Sequence, residues 1–237
     1  MFKIGFLSLA ALLLSNHPIS AKDLMKTALT EVIAPSCNNI AQDDVPEEVT
    51  TKTTQYFTPM FEPGADGLLQ DKDRYNCVEM EGSCVVGGYL YDSSGQKYNR
   101  ANIKYKFGMG SGGGKYNKTN SLHPCHTLAA DPSIYPTGTV IYIEAFAGKT
   151  CPQTGNPVNG CFVVGDVGHA IKGHGRFDIF TGECAQYDGN KHVCLDVGNA
   201  KFNVPVGTTF RVFQRDSYQA KQLRSEFDSF IDNGWKP

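Results

Sequence analysis

The most regular pattern in this chain is a series of short apolar runs separated by turn residues. Runs of this kind, rich in Val, Ile, Phe and Tyr and bounded by Gly, Pro, Asn and Asp, are typical of β-strands. They predict strands over 84–91, 103–107, 139–145, 161–166, 177–180 and 208–214. Helical periodicity is nearly absent between these runs. The pattern therefore predicts a mainly β domain.

Apolar residues recur at helical spacing only near the two ends of the chain. Residues 23–33 form one amphipathic pattern, which Pro35 ends. At the other end, Ser217 is suited to cap a helix that Gly234 then terminates. The apolar stripe of this second helix comprises Leu223, Phe227, Phe230 and Ile231. We expect short helices at both ends, with the C-terminal one lying in 216–237.

The first residues have the pattern of a secretory signal peptide. Lys3 precedes an apolar run over 4–14, and Ala21 offers a small residue for cleavage. The run is shorter than the roughly 20 residues of a spanning helix, and no cysteine follows it at a lipidation position. We therefore expect a signal peptide at 1–21, no membrane anchor, and a periplasmic or secreted protein.

Composition and charge indicate how the chain is divided into segments and which class of partner is excluded. The stretch 38–52 is polar and acidic, so we expect an N-terminal arm or linker over 22–52 and one globular domain over 53–215. The formal net charge of −2 and the pI of about 6.3 argue against a protein that holds nucleic acid by bulk charge.

Eight cysteines in an exported chain are typical of a disulfide framework. Two pairs flank turn-rich loops, and these predict local disulfides Cys151–Cys161 and Cys184–Cys194. Spacing leaves the pairing of the other four open: Cys37, Cys77, Cys84 and Cys125.

Three segments concentrate polar groups in otherwise apolar strand and turn contexts. They are 127–139, 164–173 and 176–180, and they contain Asp131, Asp166 and Asp178. An aspartate at the edge of a strand is costly if it is buried without partners, so it serves either a structural hydrogen bond or chemistry. For each aspartate alone the structural interpretation is favoured, but three such segments together favour a functional site.

These segments resemble the three-aspartate (3D) domain of the membrane-bound lytic transglycosylase A and stationary-phase muralytic factor type. The family pattern is roughly Ala-x-Asp-x-x-x-x-Pro-x-Gly-Thr, then Asp-x-Gly-x-Ala-Ile-Lys-Gly, then Asp in a following strand. This chain carries Ala129-Ala-Asp131, Pro136-Thr-Gly138-Thr139, Asp166-Val-Gly168-His-Ala170-Ile-Lys-Gly173 and Asp178-Ile-Phe180. Upstream, Tyr56-Phe-Thr58-Pro59 is similar to the Tyr-x-Thr-Pro element of the transglycosylase A group.

The resemblance implies a six-stranded double-psi β-barrel and a peptidoglycan lytic transglycosylase. By position, Asp178 is the catalytic acid and base, and Asp166 and Asp131 line the same cleft. Such an enzyme cleaves the MurNAc–GlcNAc β-1,4 bond of glycan strands and forms a 1,6-anhydro-muramyl product. One carboxyl group suffices, because it first donates a proton and then takes one back. No cofactor and no metal are implied.

Four further residues are candidates for sugar binding at this cleft: Lys172, Tyr56, Thr58 and Tyr135. The chain also departs from the family pattern. The interval between Asp166 and Asp178 is one residue longer, through His174-Gly175, and His169 replaces a common glycine. The span 59–102 is too short for the second domain of transglycosylase A, so we expect a shallow cleft on the barrel alone.

Three alternatives remain open from the residues. A zinc peptidase would use His126, His169 and His174, but their spacing to the aspartates does not match such enzymes. A cellulase-like β-1,4-glucan hydrolase would use two carboxyl groups on the same barrel. An expansin-like module would bind the wall without cleaving it.

Overall fold

The computed structural model describes residues 46–100, 122–196 and 202–232, all within one compact unit, Ala34–Pro237. Short strands dominate, as the sequence pattern predicts. The strands are β1 (Glu47–Val49), β2 (Lys52–Phe61), β3 (Ser83–Val86), β4 (Tyr89–Asp92), β5 (Lys97–Asn99), β6 (Thr127–Ala129), β7 (Val140–Tyr142), β8 (Cys161–Asp166), β9 (Arg176–Cys184), β10 (Tyr187–Asp188), β11 (Val193–Cys194) and β12 (Thr209–Phe213). The prediction of a mainly β protein is confirmed.

Helical segments are few in the described ranges. Helix α1 (Asp71–Arg74) runs directly into a π-helical turn (Tyr75–Met80), a short 3₁₀ turn spans Glu144–Phe146, and helix α2 spans Tyr218–Asp232. Ser217 caps α2 as predicted, because its Oγ accepts a hydrogen bond from the Ala220 N–H at 3.1 Å. The predicted helix over 23–33 and the stop at Gly234 lie outside the described residues. In the described ranges, no helix is long and apolar enough to cross a membrane.

Ten strands form one sheet in the order β1-β12-β7-β8-β6-β9-β2-β3-β4-β5, and β10 and β11 form a separate hairpin. Strand β2 lies parallel to β9, and β6 lies parallel to β8 and antiparallel to β9. As far as the described strands go, this pairing order is open, so it does not by itself establish the closed six-stranded barrel.

Several elements differ from the sequence prediction. Strand β2 is ten residues long, yet no strand was predicted there, because Thr, Gln and Pro interrupt its apolar pattern. Strand β1 lies in the predicted arm and pairs with β12. The predicted strand 84–91 is instead the hairpin β3–β4, because Gly87 and Gly88 form its turn. The predicted strand 103–107 lies outside the described residues.

The main core lies on one face of the sheet. Phe177 and Ile179 of β9 are fully buried in it, whereas Asp178 between them points to the opposite face. Helix α2 covers a second cluster, in which Leu223 and Ala220 pack with Val140 and Phe213. The strand alternation thus separates a packed face from a face that carries polar side chains.

The disulfides correct one sequence prediction. Cys184–Cys194 is confirmed, but Cys151 bonds to Cys125 and not to Cys161. The reason is tertiary, because the chain between Cys125 and Cys151 doubles back through β6 and β7. Cys161 is itself disulfide-bonded. Cys77–Cys84 completes the bonds within the described residues, and Cys37 lies outside them.

Candidate functional site

Strand register places two of the three aspartates in one row across the sheet. Asp178 of β9 pairs with Thr54 of β2 on one side and with Ala129 of β6 on the other. Ala129 in turn pairs with Asp166 of β8. Asp166 and Asp178 are therefore separated in this row by the one small side chain of Ala129.

Asp178 is a half-buried carboxyl group, and its side-chain hydrogen-bond partner is Thr54. The Thr54 hydroxyl donates a hydrogen bond to its Oδ1 at 2.5 Å. That hydroxyl also accepts a hydrogen bond from Arg176 Nη1 at 2.8 Å, which fixes its orientation. Burial raises the pKa of Asp178 and the charge of Asp166 adds to this, against the Thr54 hydrogen bond and the positive charges of Arg176 and Lys52. An acid with a raised pKa retains its proton to higher pH than a free aspartate.

Asp166 is buried and held by Tyr56 of β2. The Tyr56 hydroxyl donates to Asp166 Oδ2 at 2.9 Å, and the Val167 N–H donates to Oδ1 at 2.8 Å. Burial, with the charge of Asp166 as the second cause, raises the pKa of Tyr56, so the phenol stays protonated and remains a donor. The Tyr56 ring also packs against Phe180. Tyr56 and Asp166 thus form one rigid part of the site.

Asp131 has the contacts of a structural residue. Its Oδ1 accepts from the Ser133 N–H and hydroxyl at 3.1 and 2.7 Å, and its Oδ2 accepts from the Gly173 N–H at 3.0 Å. These hydrogen bonds, led by that of Gly173, lower the pKa of Asp131 to about 2. Asp131 therefore joins the loop after β6 to the loop before β9, and it does not line the cleft described below.

The candidate sugar-binding residues fall into two groups. Tyr56 lines the cleft. Thr58 is fully buried and contacts the Ser83 hydroxyl, and Tyr135 is buried among aromatic rings, where its hydroxyl accepts from the Gly175 N–H at 3.0 Å. Lys172 is exposed and its charge acts on Asp131. The structure places Thr58, Tyr135 and Lys172 outside the lining of the cleft.

The row of carboxylates opens into a cleft of about 230 Å³. One wall comes from β2, β6, β8, β9 and the loop after β8. The other wall comes mainly from the π-helical turn and the residues that lead from it into β3. The lining residues are Tyr56, Val78, Glu79, Met80, Glu81, Gly82, Ser83, Ser93, Ala129, Asp166, Val167, Gly168, His169, Ile171 and Asp178. The cleft is open on one side, as expected of a site that takes a polymer.

Glu81 is a carboxyl group of this cleft that sequence reasoning missed. Burial, opposed in part by a hydrogen bond from Tyr187 and increased by the charge of Asp178, raises the pKa of Glu81 to about 7. The residue lies in a segment outside the three aspartate motifs, so no local pattern marked it.

Glu81→Gln is expected to stabilise the fold above pH 7. The folded protein binds the Glu81 proton more tightly than the unfolded chain, so in the wild type this group lowers the free energy of unfolding as pH rises from about 4.5 to about 7. Glutamine does not ionise, so the advantage of the variant grows through this window to on the order of 1–3 kcal/mol. Thermal unfolding from pH 4 to pH 8.5 measures it, and a difference that does not change with pH would contradict the assignment.

Potential metal ligands lie close together at one place among the described side chains. This group consists of Cys184, Cys194 and Asp196, whose donor atoms lie within 4.8 Å of one another. Its two sulfur atoms form the Cys184–Cys194 disulfide. It includes none of the histidines weighed from the sequence. His126 is buried, with its pKa lowered to about 4 chiefly by burial, whereas His169 and His174 are exposed.

Comparison with known families identifies the class of domain that carries this site. Residues 126–194 match the family model described as the 3D domain. The match contains Asp131, Asp166 and Asp178, and the resemblance predicted from the sequence is confirmed. The match begins after β2, which supplies Tyr56 and Thr54, so it does not include that strand.

Individual proteins give more distant matches. The lytic transglycosylase LtgG of Burkholderia pseudomallei is 30% identical over 46% of this chain, with a TM-score of 0.27, and this chain spans only 29% of that protein. MltA of Escherichia coli with bound chitohexaose is 16% identical, with a TM-score of 0.39, over 68% of this chain and 71% of the other. A search of curated proteins found no match.

Proposed function

We propose that this protein is a peptidoglycan lytic transglycosylase that cleaves the β-1,4 bond between MurNAc and GlcNAc. The observation that carries the proposal is the position of Asp178, a half-buried carboxyl group with a raised pKa, on the wall of an open cleft. Cleavage of a glycosidic bond requires a proton for a poor leaving oxygen, and such a group provides it. The match of residues 126–194 to the 3D domain supports the same substrate class.

The proposed reaction uses one carboxyl group twice. Asp178 gives its proton to the glycosidic oxygen as the bond from that oxygen to C1 of MurNAc breaks. The C6 hydroxyl of the same MurNAc then attacks C1, and its proton passes to the Asp178 carboxylate. The products are a GlcNAc-terminated strand and a 1,6-anhydro-muramyl end, and the acid is regenerated without water.

Neighbouring residues adjust Asp178 for both steps. The negative charge of Asp166 favours the protonated acid, whereas the Thr54 hydrogen bond favours the carboxylate. These two effects act on the pKa of Asp178 in opposite directions, and both steps of the reaction need the carboxyl group to change its protonation state. Tyr56 holds the Asp166 side chain in place by donating a hydrogen bond to it.

The proposal extends to the fold and the location. We propose that β12, β7, β8, β6, β9 and β2 close into the double-psi β-barrel implied by the resemblance. Contacts between the start of β2 and the segment that leads into β12 support this, because the Thr53 hydroxyl donates to the Val204 carbonyl and the Gly207 N–H donates to the Thr50 carbonyl. Three disulfides support a periplasmic or secreted protein.

Mass spectrometry of the soluble products from purified sacculi tests the function. The mature protein, produced under oxidising conditions, is expected to release anhydro-muropeptides. Muropeptides with reducing ends would instead identify a hydrolase. Binding to sacculi without any soluble product would identify a wall-binding module. Either of these two results would overturn the proposed reaction.

A further inference from the structure

Glu81 lines the same cleft as Asp178 but comes from a different part of the fold. It directly follows the π-helical turn and is separated from β3 by Gly82, whereas Asp178 lies on β9. Both side chains line this cleft, and the charge of Asp178 is one of the causes that raise the pKa of Glu81. A sugar chain in the cleft would therefore meet carboxyl groups from two separate walls.

Two donors hold the Glu81 side chain. The Tyr187 hydroxyl donates to Glu81 Oε1 at 3.1 Å, and the Phe57 N–H of β2 also hydrogen-bonds the carboxyl group. His192 Nδ1 lies 3.0 Å from the same Tyr187 hydroxyl. Because that hydroxyl already donates to Glu81, His192 completes the chain as the donor to Tyr187. A hydrogen-bonded chain thus runs from an exposed histidine to the cleft.

The hairpin β10–β11 that carries Tyr187 is itself fixed. Tyr187 pairs with Cys194 in the hairpin, and Cys194 bonds to Cys184 at the end of β9. The Tyr187 ring packs against Phe57 and Phe61 of β2 at centroid distances of 5.7 Å each. The Cys184–Cys194 disulfide therefore helps to fix Tyr187, whose hydroxyl donates to Glu81 in the cleft.

We propose that Glu81 binds the glycan in this cleft alongside Asp178, and that Tyr187 of the hairpin β10–β11 positions it. The inference rests on the proposed glycan substrate and adds the group that recognises it. Glu81 donates a hydrogen bond from its protonated carboxyl to an oxygen of the sugar chain, either a hydroxyl or an acetamido carbonyl. It binds the chain, while Asp178 performs the proton transfers.

The surroundings of Glu81 favour the protonated form. Burial disfavours its charge, and the negative charge of Asp178 disfavours it further, so Glu81 keeps its proton up to about pH 7. Tyr187 acts in the opposite direction by donating to the carboxylate. The titratable groups around it are Tyr56, Glu79, Asp166, His169 and Asp178 in the cleft, and Tyr187, Asp188 and His192 in the hairpin.

Binding of chitohexaose, a β-1,4-linked N-acetylglucosamine hexamer, tests the proposal by calorimetry at pH 5.5 and pH 8.5. We expect the Kd of the wild type to rise about fivefold at the higher pH, as one hydrogen-bond donor is lost. Glu81→Gln keeps a neutral donor, so its Kd is expected to change much less between the two pH values. Glu81→Ala is expected to bind weakly at both.

Direct titration of the Glu81 carboxyl carbon by NMR gives a readout that needs no activity. We expect it to titrate near pH 7 in the wild type and higher in Tyr187→Phe, since that variant removes a group that lowers the pKa. Tyr98→Phe is the matched control, because it removes a similar tyrosine–carboxylate bond to Asp92 outside the cleft. Its Glu81 titration is expected to match that of the wild type.

The results that overturn the proposal differ from those that overturn the reaction. Titration of Glu81 below pH 5, no binding of chitohexaose to the wild type at pH 5.5, or the same pH dependence in Glu81→Gln as in the wild type would each overturn it. A loss of cleavage with unchanged binding in Glu81→Gln would assign Glu81 to the proton transfer instead. Failure to find anhydro-muropeptides would overturn the reaction but leave these binding results intact.

Discussion

Replacing Asp178 with asparagine lowers the rate of anhydro-muropeptide release by about 10³-fold or more, within the range expected for loss of a general acid. Asparagine occupies nearly the same volume and can still accept the Thr54 hydrogen bond. It has no acidic proton for the glycosidic oxygen. The fold should be retained, because the variant removes a carboxyl group whose burial disfavours its charge. Initial rates of product release from sacculi, together with thermal unfolding, measure both effects.

Asp216→Asn is the matched control for this experiment. Asp216 is an exposed carboxylate after β12 and does not line the cleft. Its variant makes the same chemical change and is expected to cleave sacculi at the wild-type rate. If Asp178→Asn retained more than a tenth of the wild-type rate while folded, Asp178 would not be the acid of the reaction.

Gly175→Ala is expected to destabilise the protein by about 2–4 kcal/mol, the second large effect. Gly175 has a φ of +66°, and an added Cβ would lie 2.7 Å from the Val49 carbonyl oxygen and 3.0 Å from the Thr51 nitrogen. Both atoms belong to the backbone, so neither can rotate away. The carbonyl of Gly175 accepts from the Thr51 N–H, so the clash would also separate the start of β2 from the loop before β9.

Gly148→Ala separates the two causes of this effect. Gly148 has a similar φ of +80°, but an added Cβ would meet nothing within 4 Å. We expect a cost of about 1 kcal/mol there, from backbone conformation alone. Chemical denaturation of both variants measures the difference. Equal costs at the two glycines would show that the close approach at Gly175 relaxes without penalty.

The loop between Asp166 and Asp178 is held by further contacts near its end. The interval includes His174 and Gly175, and both make contacts to the segment before β2. The Thr51 hydroxyl donates to the His174 carbonyl at 2.9 Å, and the Gly175 N–H donates to Tyr135. Tyr135, which is a candidate for sugar binding by sequence alone, thus supports the loop that leads to Asp178.

The three aspartates show which features of the site sequence motifs can predict. The three motifs identified Asp131, Asp166 and Asp178 as one set, and the family match confirms that resemblance. Their different environments depend on register and on loop contacts. Asp131 accepts three hydrogen bonds from Ser133 and Gly173, whereas Asp178 accepts one, from the Thr54 hydroxyl. A motif records which residues occur in which order, but not how each is solvated.

The sequence by itself determined the mainly β character, the C-terminal helix with its Ser217 cap, the Cys184–Cys194 bond and the 3D resemblance. All of these depend on local periodicity, turn residues or linked motifs. Only the tertiary structure decided the Cys125–Cys151 bond, the pairing of β2 with β9 and the presence of Glu81 in the cleft. These depend on contacts between segments far apart in the chain, and the pKa of a carboxyl group depends on the burial and charges that those contacts create.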